Sequence, residues 1–324
     1  MMTIEPWYWQ AVESINYPFP QRMHQAVSWL EDEIVTWCYA HKLIRDHAQE
    51  QHLRSALLAE FIARANAEIP PSMLRLIGLW TVWFFLLDDL TDTLPSVEEL
   101  ADLQMRILTV VSEGSVYDYD HPLILAAADL SDLLKQYAGS VTLVRFLRAL
   151  AQTLEAHLWE VSTRLADIQP DSQTYTNMRL WSGAFFPMIA LADMAQGSVL
   201  PSHIFEHAIV QELIRAATQA VLWYNDLWSY PKEIQKHKMP HNIVHILAHE
   251  NRIPLSEALS LTIAQHDRAI QQFLRLKKQI HTLNGAEDVV LRFVESIEAW
   301  LRATQDWSHR TDRYRQQMVR AIHT

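Results

Sequence analysis

Apolar residues recur at intervals of three and four along almost the whole chain, the period of helices that bury one face. The pattern predicts helices over roughly 22–44, 48–68, 72–92, 97–113, 121–138, 141–167, 172–195, 203–235, 242–250, 254–283 and 286–315. Breaks fall at IPPS (69–72), DTLPS (92–96), DIQPDS (168–172), GSVLPS (197–202) and NRIP (251–254), where proline, glycine and capping residues end helices. No convincing period-two strand, internal repeat or low-complexity linker interrupts the series. The pattern describes one all-α domain over residues 1–324, a bundle of about eleven helices.

Composition sharpens this picture. The 324 residues are 49% hydrophobic, enough for a large core, and only 6 are glycine, which favours long elements with few turns. The single cysteine, Cys38, excludes an intrachain disulfide and fits a reducing cytoplasm. A formal net charge of −11, with scattered lysines and arginines, argues against nucleic-acid or anionic-membrane partners. MMTIEPWYWQ at the start lacks the basic and apolar regions of a signal peptide. The longest uncharged apolar run, LIGLWTVWFFLL, has twelve residues, whereas a bilayer span needs about 20. A soluble, cytoplasmic protein without membrane insertion is expected.

Chemistry enters with TVWFFLLDDLTD, residues 81 to 92. Asp88 and Asp92 fall one turn apart on one helix face, with Thr81, Phe84 and Phe85 on that face below them. Asp89 lies about 100° around. Clustered carboxylates at the end of a core helix repel one another and call for a cation. In WYNDLWSYPKE, residues 223 to 233, Asn225, Ser229 and Glu233 repeat every four positions. They offer an amide oxygen, a hydroxyl and a carboxylate, all hard donors of the kind magnesium takes. Thr218, Val221 and Leu222 lie upstream on this face, and Lys232 falls about 20° from Asn225. Pro231 points away and removes the bond to the Leu227 carbonyl, so a kink or a final turn is expected there.

Together, Asp88-Asp89-Leu90-Thr91-Asp92 and Asn225-Asp226-Leu227-Trp228-Ser229-Tyr230-Pro231-Lys232-Glu233 resemble the two metal motifs of class I terpene synthases of the single-domain bacterial type. Their separation, 137 positions from Asp88 to Asn225, is similar to that of the family. Arg313 and Tyr314 in HRTDRY resemble its C-terminal arginine–tyrosine pair, with Trp307 upstream as a cavity aromatic. The stretch from 241 to 259 follows the family's course, and the resemblance weakens in the first fifty residues.

The resemblance implies a three-ion magnesium cluster, with manganese as a substitute, held by Asp88, Asp89, Asp92, Asn225, Ser229 and Glu233. It implies an isoprenoid diphosphate substrate, farnesyl before geranylgeranyl, gripped by Arg179, Lys232, Arg313 and Tyr314. Phe84, Phe85 and Trp307 would face the carbocation. RLWSG, residues 179 to 183, resembles an element in which Arg179 senses diphosphate, Ser182 links and Gly183 acts as effector; members often carry an acid where this chain has Ser182. Pro187 cannot donate to the Gly183 carbonyl, so a proline kink exposing that oxygen to the cation is expected. Removing it by Pro187→Ala is expected to re-form the helical bond.

His237, His241, His245 and His249 are spaced by four, but without HExxH or a nearby cysteine they make a poor zinc site. Two other readings remain: a chain-elongating prenyl diphosphate synthase, and a non-catalytic helical binding protein. The first usually repeats an aspartate-rich motif where this chain has Asn225, Ser229 and Glu233. A protonation-initiated cyclase lacks support, because no DxDD stretch is present. A homodimer is the default assembly.

Overall fold

The computed structural model describes residues 5–237, 239–283 and 287–315. In order the helices are α1 (Pro6–Glu13), α2 (Val27–Ala40), α3 (His47–Ser55), α4 (Leu58–Ala65), α5 (Pro71–Thr91), α6 (Val97–Glu113), α7 (Pro122–Tyr137) and α8 (Ser140–Leu165). They continue with α9 (Ser172–Ser182), α10 (Phe185–Ala195), α11 (Ser202–Phe205), α12 (Ala208–Lys236), α13 (Ile243–Asn251), α14 (Leu255–Lys277) and α15 (Glu287–Ser308). No strand occurs among the described residues.

Local chemistry sets most of the ends. Asp46, Ser96, Asp171 and Asn242 cap α3, α6, α9 and α13 by accepting from a backbone N–H in the first turn. Proline opens α1, α5 and α7, where its missing N–H has no intrahelical use. Gly114 ends α6 at φ +81°, a conformation that glycine takes without a Cβ clash.

Helix α5 is apolar on every side, with Leu76, Leu79, Trp80, Val82 and Trp83 inaccessible to solvent, so it runs through the middle of the bundle. Helix α12 packs along α14 on its outer side and turns its other face inward. Between α5 and α12 the remaining wall is built by α8, α9, α10 and α15.

The chain is cut into more helices than the eleven expected, and the extra cuts have physical causes. The 48–68 stretch divides at Leu57, which takes a left-handed conformation (φ +53°). The Ala56 carbonyl released there accepts from Trp307 Nε1 at 2.7 Å and Thr311 Oγ1 at 3.0 Å. The 172–195 stretch divides at Gly183 and Ala184. It is Ala184, not Gly183, that adopts positive φ (+55°); Gly183 has φ −74°.

This corrects the expectation for Pro187. It is the third residue of α10 rather than the interior of one long kinked helix. Backbone N–H groups in a first turn have no intrahelical acceptor, so Pro187→Ala would re-form no helical bond to Gly183. At Pro231, where a kink or a final turn is expected, α12 runs past it to Lys236 before ending.

Candidate active site

A cavity of about 220 Å³ opens where α5, α8, α9, α12 and α15 converge. Phe61, Phe84, Phe85, Phe185, Trp300 and Trp307 supply an aromatic floor, with Met188, Val221 and Leu222 beside them. Polar and charged groups gather at the rim. Asp88 and Asp92 reach it from α5; Asn225, Ser229, Lys232 and Glu233 reach it from α12. Every other residue expected at the site also lines this cavity except Asp89.

Asp89 is turned aside. Its two oxygens accept from the Arg313 guanidinium at 2.8 and 3.0 Å, a paired geometry that suits carboxylate and guanidinium planes. Burial would push the Asp89 carboxyl up, but the hydrogen bonds and charge of Arg313 prevail and hold it below the ordinary range. Arg313 also sits 5.1 Å over the Phe85 ring. Asp92 is met by Lys236 at 3.1 Å and Arg164 at 3.8 Å. Asp88 has no hydrogen-bond or ion-pair partner for its carboxylate among the described residues, although its backbone carbonyl accepts from Thr91 Oγ1 at 2.8 Å. Its exposed surface faces the cavity while protein surrounds it at longer range, so burial first and Asp92 second raise its carboxyl.

On α12 the ligand-type side chains are held by residues of other elements, some of them at the cavity rim and some behind it. Arg179, at the end of α9, donates to Asn225 Oδ1 at 2.8 Å and Asp226 Oδ1 at 2.9 Å. The Asn225 amide donates in turn to the Tyr314 hydroxyl at 2.8 Å. Asp226, about 100° around α12 from Asn225, is buried and accepts from Tyr175 and from the Ile243 N–H. Asn242 donates to Glu233 Oε2 at 3.0 Å and to the Asp226 carbonyl at 2.8 Å. Burial, then the Asp226 charge, pushes the Glu233 carboxyl up to about 7. Burial, then Arg313 and Lys236, pushes the Lys232 ammonium down.

Ser182 is buried and donates from Oγ to Glu160 Oε1 at 2.7 Å, with Arg179 Nη1 3.4 Å from the same hydroxyl. The acid absent from the sequence at that position is therefore supplied by α8. Gly183 has its own reason for being glycine: a Cβ there would stand 2.0 Å from Leu222 Cδ2. The Trp307 indole packs edge-on against Phe85, with ring centroids 5.6 Å apart.

The donor set suits a hard cation, since Asp88, Asp92, Asn225, Ser229 and Glu233 bring oxygen donors to the cavity from both helices and the Asp88 carboxylate lacks a protein partner among the described residues. Among the described residues no group of three or more His, Cys, Asp or Glu side chains could hold a metal by itself. An ion beside α12 would therefore draw on amide and hydroxyl oxygens, water and substrate. His237 and His241 line the cavity, while His245 and His249 stack on α13, so the four do not converge as a zinc site.

The model of terpene synthase family 2, C-terminal metal binding, matches residues 79–272, more than half of the chain. The chain belongs to this family. It is a class I terpene cyclase, a lyase, with the family's all-α fold. Its similarity to characterised members runs the length of the chain. It is 29% identical to a (+)-T-muurolol synthase ((2E,6E)-farnesyl diphosphate cyclizing) of Roseiflexus castenholzii, over 94% of this chain and 96% of that one. It is 28% identical to a (−)-delta-cadinene synthase of Streptomyces clavuligerus, over 91% and 92%. The crystal structure of a linalool/nerolidol synthase from Streptomyces clavuligerus superposes with a TM-score of 0.84 at 19% identity, covering 91% of this chain and all of that one. No helix among the described residues is long and apolar enough to cross a membrane.

Several residues of this terpene synthase's site were missed in the sequence: Asp226, Tyr175, Asn242, Glu160 and Arg164. Asp226 and Asn242 carried weak signals, one inside the second motif and one as the cap of α13. Glu160 and Arg164 sit in an ordinary amphipathic helix and become visible only where α8 meets α9 and α5.

Proposed function

We propose that this protein ionises farnesyl diphosphate and cyclises the allylic cation to a sesquiterpene hydrocarbon or alcohol, releasing pyrophosphate. The observation that carries this reading is the division of one cavity into an aromatic floor and a rim of oxygen donors and basic side chains. A diphosphate head on a hydrocarbon tail has the same division. The choice of a fifteen-carbon substrate draws on relatives named as farnesyl diphosphate cyclizing.

The proposed cofactor is magnesium, three ions by family resemblance and replaceable by manganese. Bound there it would supply Lewis acidity and a template for the departing diphosphate. Asp88 and Asp92 are its proposed ligands on α5, and Asn225, Ser229 and Glu233 those on α12. Asp89 serves by fixing Arg313. Arg179, Lys232, Arg313 and Tyr314 bind the diphosphate, and Arg179 connects to Gly183 through Ser182 and Glu160. The apolar floor keeps water from the cation. Phe84, Phe85 and Trp307 offer ring faces worth about 0.5–2 kcal/mol each to migrating positive charge. The same reading takes residues 1–324 as one catalytic domain, cytoplasmic, with a homodimer as default.

The test supplies ten-, fifteen- and twenty-carbon allylic diphosphates singly with magnesium and follows pyrophosphate and volatile products. The expected result is a cyclic fifteen-carbon product, abolished by EDTA and restored by magnesium. A longer diphosphate formed only with isopentenyl diphosphate would overturn the reading in favour of chain elongation. Phe85→Ala is expected to change the product ratio and lower turnover several-fold, because about 1 kcal/mol of cation stabilisation is roughly a fivefold rate effect. An unchanged product profile would return Phe85 to a packing role.

A further inference from the structure

Pro231 lies inside α12, two residues after Ser229 and two before Glu233. It has no N–H, so the Leu227 carbonyl loses its helical donor. That carbonyl nevertheless has a partner. The hydroxyl of Tyr8, on α1 and 219 positions away, donates to Leu227 O at 2.6 Å in a fully buried setting.

Each group needs the other, because a buried carbonyl or phenol without a partner is costly. Aromatic packing holds the contact in place: Tyr8 stacks on Tyr230 at 5.9 Å and Trp9 packs on Trp228 at 5.7 Å. On the helical wheel Leu227 stands about 200° from Ser229, so α1 grips the back of the turn whose front carries Ser229 and Glu233.

We propose that Tyr8 is a positioning residue for the metal-binding turn of α12, its hydroxyl standing in for the backbone N–H that Pro231 lacks. The proposal rests on reading Asn225, Ser229 and Glu233 as metal ligands. By bridging the one turn of α12 that a proline leaves unbonded, Tyr8 fixes where Lys232 and Glu233 enter the cavity relative to Asn225 and Ser229. The first helix thus acts on the site without touching substrate.

The test is a double-mutant cycle on the full chain: wild type, Tyr8→Phe, Pro231→Ala and the pair. Pro231→Ala returns the N–H to the helix, which should make the Tyr8 hydroxyl dispensable. Two quantities are read: the melting temperature without metal, and the magnesium concentration that half-saturates pyrophosphate binding by calorimetry. Tyr8→Phe alone is expected to lower the first by a few degrees and raise the second about tenfold, the equivalent of one buried hydrogen bond. In the Pro231→Ala background it is expected to change the second by less than about twofold.

Equal losses in both backgrounds would show that Tyr8 only packs, and no loss beside Pro231 would show that the bond is idle; either overturns the proposal. Absence of magnesium-dependent pyrophosphate binding in the wild type would overturn the ligand reading and the positioning role together. Lost coupling with binding intact overturns the positioning role alone.

Discussion

Glu233→Gln is expected to lower turnover about a thousandfold or more while leaving the metal-free protein at least as stable as the wild type. The catalytic loss follows from replacing a proposed anionic ligand by a neutral amide, at a site where single electrostatic contacts are worth about 10²–10³ in rate. The stability gain follows from the carboxyl's position. Burial first, then Asp226, raises it from an ordinary 4.5 to about 7. The folded protein therefore holds this proton more tightly than the unfolded chain. That advantage is fully present below about pH 4.5 and is lost as pH rises through about 7. Above that, an ionised Glu233 costs the metal-free fold roughly 2–4 kcal/mol, which glutamine avoids while still accepting from Asn242. Melting curves in EDTA at pH 5 and pH 8 check this. The variant should gain on the wild type at pH 8 and match it near pH 5. Equal gains at both pH values, or near-normal turnover, would contradict the account.

Gly183→Ala is expected to cut turnover about a hundredfold and to destabilise the fold by about 1–3 kcal/mol, the usual range for forcing atoms into a packed interior. The added methyl would lie 2.0 Å from Leu222 Cδ2, far inside van der Waals contact. Backbone strain is not involved, since Gly183 has φ −74°. Either Leu222 moves into the cavity, which it lines, or the junction between α9 and α10 shifts and carries Arg179 with it. A misplacement of about 1 Å at such a junction is enough for a hundredfold rate effect. Leu222→Ala in the same chain should recover most of the stability. Additive destabilisation in the double variant would show that Leu222 is not the obstacle.

The residues around these two positions show what a sequence exposes. Asp88 with Asp92, and Asn225 with Ser229 and Glu233, were legible because four-residue spacing on a helix places side chains on one face whatever surrounds it. Phe84 and Phe85, the part of the aromatic floor on α5, followed from the same periodicity, whereas Phe61, Phe185 and Trp300 come from other helices and did not. Arg179, Arg313 and Tyr314 were legible by resemblance of short motifs. What answers the acids was not. Asp89 meets Arg313 from the far end of the chain, and Asp92 meets Lys236 and Arg164. Those pairings depend on which helices become neighbours, and spacing along one helix carries no such information.

The sequence by itself determined an all-α chain, the helix faces that bear the acids and oxygen donors, and the breaks capped by Ser96 and Asp171. These depend on residues within a turn of each other, where propensity, capping and periodicity operate. Only the tertiary structure decided where helices stop without a local signal and continue despite one. Leu57 breaks a helical stretch because Trp307 and Thr311 take up the Ala56 carbonyl it releases. Pro231 fails to end α12 because Tyr8 takes up the Leu227 carbonyl it orphans. In both places the outcome turns on whether a partner hundreds of residues away can satisfy one buried carbonyl. A buried polar group left unpaired costs about 1–3 kcal/mol, more than the helix preference of an ordinary residue such as Leu57 and comparable with the cost of a proline inside a helix, so a distant partner can decide the outcome.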